Sequence, residues 1–280
     1  MIITGYSKNS PIGILDSGIG GFSVVRQVQR LLPGEDILYF GDGAHIPYGN
    51  HPRQRIVDMA RYMFEFMEHR QVKALMIACN TISCLVDACQ DAVSCPVLNA
   101  VQAGADAVSC LDVEKVGVIS TVFTHNSRCY PTKIQQKNPG KLVVLSCGCP
   151  DLARLVEHNL GNPVGMAEVE ENLRLELGDM VEEGIECLVL GCTHYPLVED
   201  RIHKLYPELK LIDPAKQMAL DLVKYLKEPS LIRRVMMLKG SKGMDCITSS
   251  PSTMKVWLIA RSVGGILPAS RYSARSISRR

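Results

Sequence analysis

Two heptapeptides decide the fold: LMIACNT at residues 75–81 and LVLGCTH at residues 188–194. Each has the pattern of a buried strand, in which a short aliphatic run leads to a cysteine, then to polar residues and an amphipathic helical pattern. In open α/β sheets, ligands bind at the carboxyl ends of the strands. The equivalent thiols of Cys79 and Cys192 therefore suggest a reaction with one acid/base group on each side of a substrate.

These heptapeptides belong to an internal repeat. IGILDSG and DILYFGD, which begin at residues 12 and 36, recur as VGVISTV and KLVVLSC from residues 116 and 141. Strand patterns that alternate with helical patterns predict parallel sheets with helices on both faces. We therefore predict an α/β fold of two pseudo-symmetric parallel-sheet domains with the active site in the cleft between them. The predicted first domain comprises residues 1–99 and 211–228, and the second comprises residues 100–210.

Composition is consistent with this fold and excludes several classes of protein. A chain of 280 residues with 46% apolar residues can fill two cores. No stretch approaches the roughly 20 apolar residues of a membrane span, and the N-terminus has no secretory signal pattern. Eleven cysteines in a chain of this length indicate reduced thiols rather than a disulfide framework. We therefore expect a cytoplasmic protein with no membrane contact.

The charge distribution separates a C-terminal tail from the rest of the chain. Residues 1–228 carry a net charge of −7, whereas residues 229–280 carry +9. Helical periodicity fades in the tail, and Ser, Arg, Gly and Pro accumulate. A basic tail can bind nucleic acid, but this composition is more typical of a poorly packed extension. We predict the second, and nucleic-acid binding is not expected.

A polar turn follows the first predicted strand. Asp16 and Ser17 precede three glycines, Gly18, Gly20 and Gly21. A dinucleotide-binding fingerprint is the alternative interpretation, but its third glycine would fall at Ser23, and Asp16 would repel a pyrophosphate. We instead expect the backbone N–H groups of this turn to meet a small carboxylate ligand. Asp16 would then be free to hold an amine or to assist a thiol.

Cys79 and Cys192 are each followed by polar residues at the predicted start of a helix. The partial positive charge of a helix N-terminus favours thiolate, so we expect a lowered pKa for both thiols. His194 lies two residues after Cys192 and could exchange a proton with it. A structural zinc site is the alternative, but no cysteine pair has the two-residue spacing of a zinc knuckle.

Four segments together resemble the glutamate racemases of the cofactor-independent aspartate/glutamate racemase superfamily. These are DSGIGGFSVV at 16–25, YFGDGAHIPYG at 39–49, IACNT at 77–81 and LGCTHYPLV at 190–198. The resemblance extends from about residue 12 to about residue 226, and the joint occurrence of these motifs is specific.

The resemblance implies a two-base mechanism without metal or cofactor. Cys79 would act on D-glutamate with help from Asp16, and Cys192 on L-glutamate with help from His194. Glu157 would be a further acid near the site. The residues expected to bind substrate are Ser17, Pro47, Tyr48, Gly49, Asn80, Thr81, Thr121, Thr124 and Thr193. A homodimer that supplies D-glutamate for peptidoglycan is also implied.

The chain departs from the family pattern at several positions. Gly43 and His45 replace a Thr and an Arg, and no final strand and helix are recognisable after about residue 228. These departures affect the expected closure of the first domain and the oligomer contacts.

Two further hypotheses stay open. One is a racemase for aspartate or another acidic amino acid. The other is an inactive binding or regulatory protein whose basic tail contacts nucleic acid.

Overall fold

The computed structural model describes residues 7, 9–140 and 142–227, together with the backbone of residues 255–262, 265–266 and 270–273. The first part of the chain alternates strands and helices: β1 (Ile12–Asp16), α1 (Phe22–Leu31), β2 (Ile37–Gly41), α2 (Arg53–His69), β3 (Ala74–Ile77), α3 (Asn80–Ser83), β4 (Val97–Asn99) and α4 (Ala100–Ser109). The alternation continues through β5 (Lys115–Ser120), α5 (Val122–Asn126), α6 (Cys129–Lys137), β6 (Val143–Gly148), α7 (Leu152–Asn159), α8 (Gly165–Glu182), β7 (Cys187–Gly191), α9 (Glu199–Leu205), β8 (Lys210–Ile212) and α10 (Pro214–Lys227). Three more strands follow, β9 (Lys255–Ser262), β10 (Gly265–Ile266) and β11 (Ser270–Ser273).

Two parallel sheets repeat the same strand order. In the first sheet the order is β2-β1-β3-β4, and in the second it is β6-β5-β7-β8. Each strand of the first set thus has a counterpart in the second, and the two cysteine heptapeptides provide β3 and β7. The predicted α/β fold with two similar halves is confirmed. Helices cover both faces of the sheets, which explains why strands such as β1 and β7 are buried at every position.

The core of the first half includes the helical face expected from the sequence. Ile56, Ala60, Met63, Phe64 and Met67 are all fully buried on α2. Their spacing places them on one side of the helix, where they pack against Leu15 and Ile77 of the sheet. Burial of each large side chain in this set stabilises the fold by about 1.5–3 kcal/mol. The second half has its own core beneath α8, which includes Val169, Leu173 and Leu177.

The chain returns to the first sheet after it completes the second. β8 pairs with β7, with Leu188 opposite Leu211. Residues 211–212 therefore lie in the second sheet, and the predicted start of the returning segment is two to three residues too early. The next helix, α10, buries Met218 and Leu222 against Ile14 of the first sheet. Helix α4 packs between the halves, with Ala103 in the first core and Ala105 in the second.

The tail contains a strand that the sequence analysis did not recognise. β9 pairs in parallel with β2, with Leu38 opposite Trp257 and Phe40 opposite Ile259. This finding corrects the expectation that no final strand follows residue 228. The physical reason is that VWLIA combines residues of high strand propensity with access to the free edge of β2. Residues 228–254 lie outside the described residues, so the poor packing predicted for the tail, residues 229–280, stays a prediction there.

Among the described residues, no helix combines the length and the apolarity needed to cross a membrane.

Candidate active site

A cavity of about 280 Å³ lies between the two halves, where the carboxyl ends of both sets of strands meet. Both cysteine heptapeptides contribute to its wall, as the sequence predicted. The lining residues are Ser17, Gly18, Ile46, Pro47, Tyr48, Gly49, Cys79, Asn80, Thr81, Thr121, Ala153, Arg154, Glu157, His158, Cys192, Thr193 and His194. Most of the predicted site residues are therefore brought together, while Asp16 and Thr124 are not on the wall.

The Cys79 thiol lies at the start of α3 and is only 5% exposed. Its Sγ is 3.5 Å from the hydroxyl oxygen of Ser17. Burial raises the pKa of Cys79 to about 11, and the negative charge of Asp16 adds to this rise. The expectation of a lowered pKa at the helix start is thus wrong. A helix of four residues has too few aligned peptide dipoles to offset the loss of hydration.

Cys192 occupies the matching position after β7 and is 7% exposed. Burial raises its pKa to about 12, although backbone N–H groups of Thr193 and His194 lower it in part. The lowered pKa expected for this thiol is also wrong, because a short 3-10 turn follows Cys192 instead of an α-helix. Both thiols are therefore protonated at neutral pH in the free protein.

A histidine and a carboxylate extend from Cys192 along the wall of the cavity. His194 Nδ1 lies 3.7 Å from Cys192 Sγ. The other ring nitrogen, Nε2, lies 3.4 Å from Glu157 Oε2, which is within ion-pair distance but not aligned as a hydrogen bond. Glu157 is carried by α7, so the second half alone provides this Cys–His–Glu series. The series could move a proton between the buried thiol and a carboxylate that is about one-third exposed.

Asp16 ends β1 and is fully buried behind Ser17 and Gly18. Its Oδ2 accepts hydrogen bonds from the backbone N–H groups of Gly18 at 3.2 Å and Gly21 at 2.9 Å. Burial raises the pKa of Asp16, while the nearby His194 and these N–H groups act in the opposite direction. The carboxylate is therefore held by its own loop, and the expectation that it is free to bind a ligand amine is wrong.

The glycines of this loop allow close approach of the chain to itself. A Cβ at Gly20 would lie 2.3 Å from Thr193 Oγ1 in the other half, and a Cβ at Gly21 would lie 2.7 Å from the Asp16 Cβ. We expected the N–H groups of this turn to bind a ligand carboxylate. Those of Gly18 and Gly21 instead donate to Asp16. The loop thus joins the two halves, and the dinucleotide alternative has no support in its geometry.

Hydroxyl groups from both halves meet at the floor of the cleft. Thr81 Oγ1 lies 3.1 Å from Thr121 Oγ1, and Thr121 in turn donates to Thr124 Oγ1 at 3.0 Å. Thr124 is buried behind Thr121, which also caps the N-terminus of α5. Thr121 is therefore the member of the predicted threonine pair that faces the cavity, and Thr124 fixes its orientation.

Asn80 is oriented by a residue that the sequence analysis missed. The buried Tyr130 of α6 donates a hydrogen bond of 2.5 Å to Asn80 Oδ1. Because the amide oxygen accepts this bond, the amide nitrogen is the group left to donate elsewhere. No motif surrounds Tyr130, and only its position in an amphipathic helix could have suggested that it is buried.

The Pro47-Tyr48-Gly49 turn is held from behind by a buried carboxylate. Ile46 and Pro47 are joined by a cis peptide bond. Tyr48 donates a hydrogen bond of 2.7 Å to Asp42 Oδ2, so its phenol points away from solvent and is 2% exposed. His45 Nδ1 lies 2.9 Å from the same carboxylate oxygen. Asp42 was not predicted as a site residue, although it directly follows β2, next to the Asp16 end of β1.

Helix α7 adds cavity residues besides Glu157. Arg154 and His158 lie on the wall, one helical turn apart, and Ala153 completes this face. Arg154 also forms an exposed ion pair of 3.0 Å with Asp151. The helical spacing from Glu157 could have indicated this face, but the recognised motifs do not include these residues.

One group of side chains has metal-ligand chemistry. The donor atoms of Cys147, Cys149 and Glu176 all lie within 4.8 Å of one another, and Cys147 Sγ is 3.1 Å from Glu176 Oε2. Glu176 lies on α8, far from the two cysteines in sequence, so cysteine spacing alone does not reveal this group. Structural zinc sites use four protein ligands, and the described part of the chain brings together three here.

The fold and the cleft define a protein of the racemase class with two α/β halves. A sequence profile of the Asp/Glu/Hydantoin racemase family matches residues 12–220, and the chain belongs to this family. A glutamate racemase of Persephonella marina is 38% identical over 226 residues, which cover 79% of this chain and 82% of the relative.

Solved structures agree with this assignment. The glutamate racemase from Francisella tularensis in complex with D-glutamate is 38% identical, with a TM-score of 0.71 over 84% of this chain and 85% of that chain. The glutamate racemase from Thermus thermophilus in complex with beta-chloro-D-alanine is 31% identical, with a TM-score of 0.72 over 91% and 89% of the two chains.

Proposed function

We propose that this chain is a glutamate racemase that interconverts L- and D-glutamate through the thiols of Cys79 and Cys192. One observation carries the proposal: two buried thiols, from matching positions of the two halves, line a single cavity between them. Racemisation requires removal of a proton from one face of the α-carbon and delivery of a proton to the other. A pair of acid/base groups related by the pseudo-symmetry of the fold meets this requirement.

The proton steps follow from the two faces of the substrate. With D-glutamate bound, the thiolate of Cys79 removes the Cα proton, and the thiol of Cys192 donates its proton to the opposite face. The product is L-glutamate, with Cys79 protonated and Cys192 left as thiolate. The reverse reaction exchanges the two roles. After one turnover, Cys79 has gained a proton and Cys192 has lost one. Exchange with solvent or with neighbouring groups returns the two thiols to their starting protonation states.

A thiolate must first be formed at neutral pH. Burial holds the pKa of Cys79 at about 11 and that of Cys192 at about 12, so the free protein contains little thiolate. The α-ammonium group of bound glutamate carries a positive charge, which lowers the pKa of a nearby thiol. Substrate binding thus provides part of the activation, and His194 next to Cys192 provides a group that can take or return the proton.

The cavity also contains donors for the negative charge that develops on the substrate. Loss of the Cα proton shifts charge onto the α-carboxylate, and preorganised donors can stabilise it. Asn80 is oriented by Tyr130, and the hydroxyl groups of Thr81 and Thr121 lie within 3.1 Å of each other across the cleft. Ser17 and Thr193 line the same cavity. Asp16 acts in this proposal as a positioning residue that holds the Gly18–Gly21 loop.

The test is a polarimetric or circular dichroism time course with pure protein and either L- or D-glutamate. Signals from both enantiomers should decay to zero, and a Cys79→Ser/Cys192→Ser double variant should leave both unchanged. A parallel panel with aspartate and other acidic amino acids separates the second racemase hypothesis from the first. Absence of racemisation with every member of the panel would refute the proposal.

The proposed function includes a use for the product, a compartment and an assembly. D-Glutamate formed by this chain would supply peptidoglycan synthesis in the cytoplasm, and a homodimer is the expected assembly. All ten cysteines within the described residues are free thiols, in keeping with a reducing compartment. Light scattering during size-exclusion chromatography measures the mass in solution. The mass of two chains is expected, and the mass of one chain would contradict the dimer.

A further inference from the structure

Two thiols outside the cavity meet where the halves contact each other. Cys84 follows α3 in the first half, and Cys129 begins α6 in the second. Cys129 Sγ lies 3.8 Å from the carbonyl oxygen of Cys84, and the two thiols are close enough for each to change the pKa of the other. Both side chains are only partly buried. The pair therefore combines close contact with access from solvent.

Cys129 has the surroundings of a reactive thiol. The hydroxyl oxygen of Ser127 lies 3.0 Å from its Sγ, and Lys133 lies one turn further along α6. The neighbouring Cys84 thiol is the largest influence and lowers the pKa of Cys129 to about 7; Ser127 and Lys133 lower it further, while partial burial and Asp87 act in the opposite direction. The first position of a nine-residue helix also favours thiolate.

We propose that Cys129 is an oxidation site for peroxides, and that Cys84 resolves it into a disulfide between the two halves. In the first step, the Cys129 thiolate attacks a peroxide oxygen, and the O–O bond breaks to give Cys129 sulfenic acid and an alkoxide or hydroxide, which takes up a proton. In the second step, the Cys84 thiol attacks the sulfenic sulfur, and water leaves. The peroxide is the two-electron oxidant, and a small thiol such as glutathione reduces the disulfide again.

The thiols of the cavity are not expected to compete in this reaction. Reaction with peroxide follows the thiolate fraction and exposure. Burial raises the pKa of Cys79 and Cys192 to about 11 and about 12, and both are at most 7% exposed. Cys129 differs from them in both respects. Mild oxidation should therefore modify the contact between the halves before it reaches the cavity.

A disulfide at this place would act on a residue of the cavity. Cys84 Sγ donates to the carbonyl oxygen of Asn80 at 3.3 Å, and Tyr130, the neighbour of Cys129, donates to the Asn80 side chain. Oxidation removes the thiol donor of Cys84. It also joins the residue that follows α3 covalently to the first residue of α6. Disulfide formation by peroxide would therefore change the position of Asn80 in the cavity.

The experiment uses the full-length protein, a brief exposure to hydrogen peroxide, blocking of free thiols with N-ethylmaleimide and a non-reducing tryptic digest. Cleavage after Arg128 and Lys133 releases CYPTK with Cys129 as its only cysteine, and Cys84 lies in the peptide from Ala74 to Lys115. Mass spectrometry should find these two peptides linked, and dithiothreitol should separate them. The linked species should disappear in Cys84→Ser and persist in Cys110→Ser, which removes an exposed cysteine from the same long peptide.

A second measurement tests the first chemical step by itself. In Cys84→Ser, dimedone should trap the sulfenic acid on CYPTK during peroxide exposure. In the unsubstituted protein, limiting iodoacetamide at pH 7 should label Cys129 faster than Cys110, so the test does not depend on the folding of a variant. A linkage that survives Cys84→Ser, or a Cys129 that is labelled no faster than Cys110, would overturn the proposal.

Discussion

In the proposed mechanism two single thiols carry out the chemistry, and each lies where water is scarce. Burial makes a thiolate costly in the free protein, but the same dry environment makes a thiolate a stronger base once substrate is bound. Cys79 and Cys192 are 5% and 7% exposed, respectively. In the proposed mechanism, the two residues therefore combine low reactivity toward solvent with the removal of a proton from carbon.

Replacement of either thiol by a hydroxyl group should abolish racemisation and preserve the fold. An alcohol is far too weak an acid to form the required base at neutral pH, so Cys79→Ser and Cys192→Ser should each lower kcat by several orders of magnitude. Circular dichroism of the amino acid measures the activity, and the far-ultraviolet spectrum of the protein measures the fold. The matched control is Cys110→Ser, at an exposed cysteine outside the cavity, which should keep full activity. Near-full activity in either cavity variant would exclude the two-thiol mechanism.

The raised thiol pKa also predicts a loss of stability in alkali. Below pH 9 the Cys192 thiol is protonated in both the folded and the unfolded chain. Above pH 9 the unfolded chain loses this proton first, because the folded pKa is about 12. Stability should therefore fall as pH rises, by about 1.4 kcal/mol per pH unit from this thiol.

Urea unfolding at pH 8 and pH 10 measures this effect. The difference in unfolding free energy between the two pH values should be smaller in Cys192→Ser by about 1.4 kcal/mol, since serine does not titrate in this range. An equal difference in both proteins would show that the thiol is not buried as described.

Among the elements, the loop between β1 and α1 determines how closely the two halves meet. Gly20 of this loop leaves no space for a side chain, because a Cβ would lie 2.3 Å from Thr193 Oγ1. Gly20→Ala should therefore displace Thr193 or the loop itself, with a loss of about 1–3 kcal/mol of stability and a marked fall in kcat/KM. Gly34→Ala is the matched control, since a Cβ there meets nothing within 4 Å. Thermal unfolding and racemase assays on both variants measure the difference, and equal behaviour would contradict the described contact.

The elements also show what the sequence could and could not predict. Strand ends were predictable because a buried aliphatic run followed by polar residues has a direct physical meaning, and this placed Cys79 and Cys192 correctly. The directions in which side chains point could not be predicted in this way. Asp16 was expected to hold a ligand amine or to assist a thiol, but it is buried behind the cavity wall, where it binds N–H groups of its own loop. Tyr130 and Asp42 escaped notice because their roles depend on contacts 50 and 6 residues away, respectively, which no local pattern encodes.

For the whole molecule, the pseudo-symmetry predicts how isotope enters the product. In the proposed mechanism different thiols serve opposite faces of the substrate. A racemisation in D₂O should therefore place deuterium at Cα of the product while recovered substrate stays largely unlabelled. Mass spectrometry of the separated enantiomers at low conversion measures both pools. Early and extensive deuteration of the substrate would indicate a single base that exchanges its proton in place.

The basic tail predicts the pattern of limited proteolysis. Trypsin should cut first at Lys or Arg beyond Pro229, where the composition predicts poor packing. The backbone of residues 255–262 pairs with β2, so cleavage at Arg261 should be slower than cleavage between residues 229 and 254. Intact-mass analysis over time measures the order of the cuts. A tail that resists trypsin as long as residues 9–227 do would refute the predicted poor packing.

The return of the chain to the first sheet has a consequence for synthesis on the ribosome. Residues 115–212 form the second sheet from one continuous segment, whereas the first sheet needs α10 to cover Ile14 and β9 to extend its edge at β2. The half that is translated first is therefore completed last, and its apolar face stays uncovered while the second half emerges. Domains generally fold as units during translation. The second half of this chain should thus fold ahead of the first, and a nascent chain without its last residues should need the protection that chaperones give to exposed apolar strands.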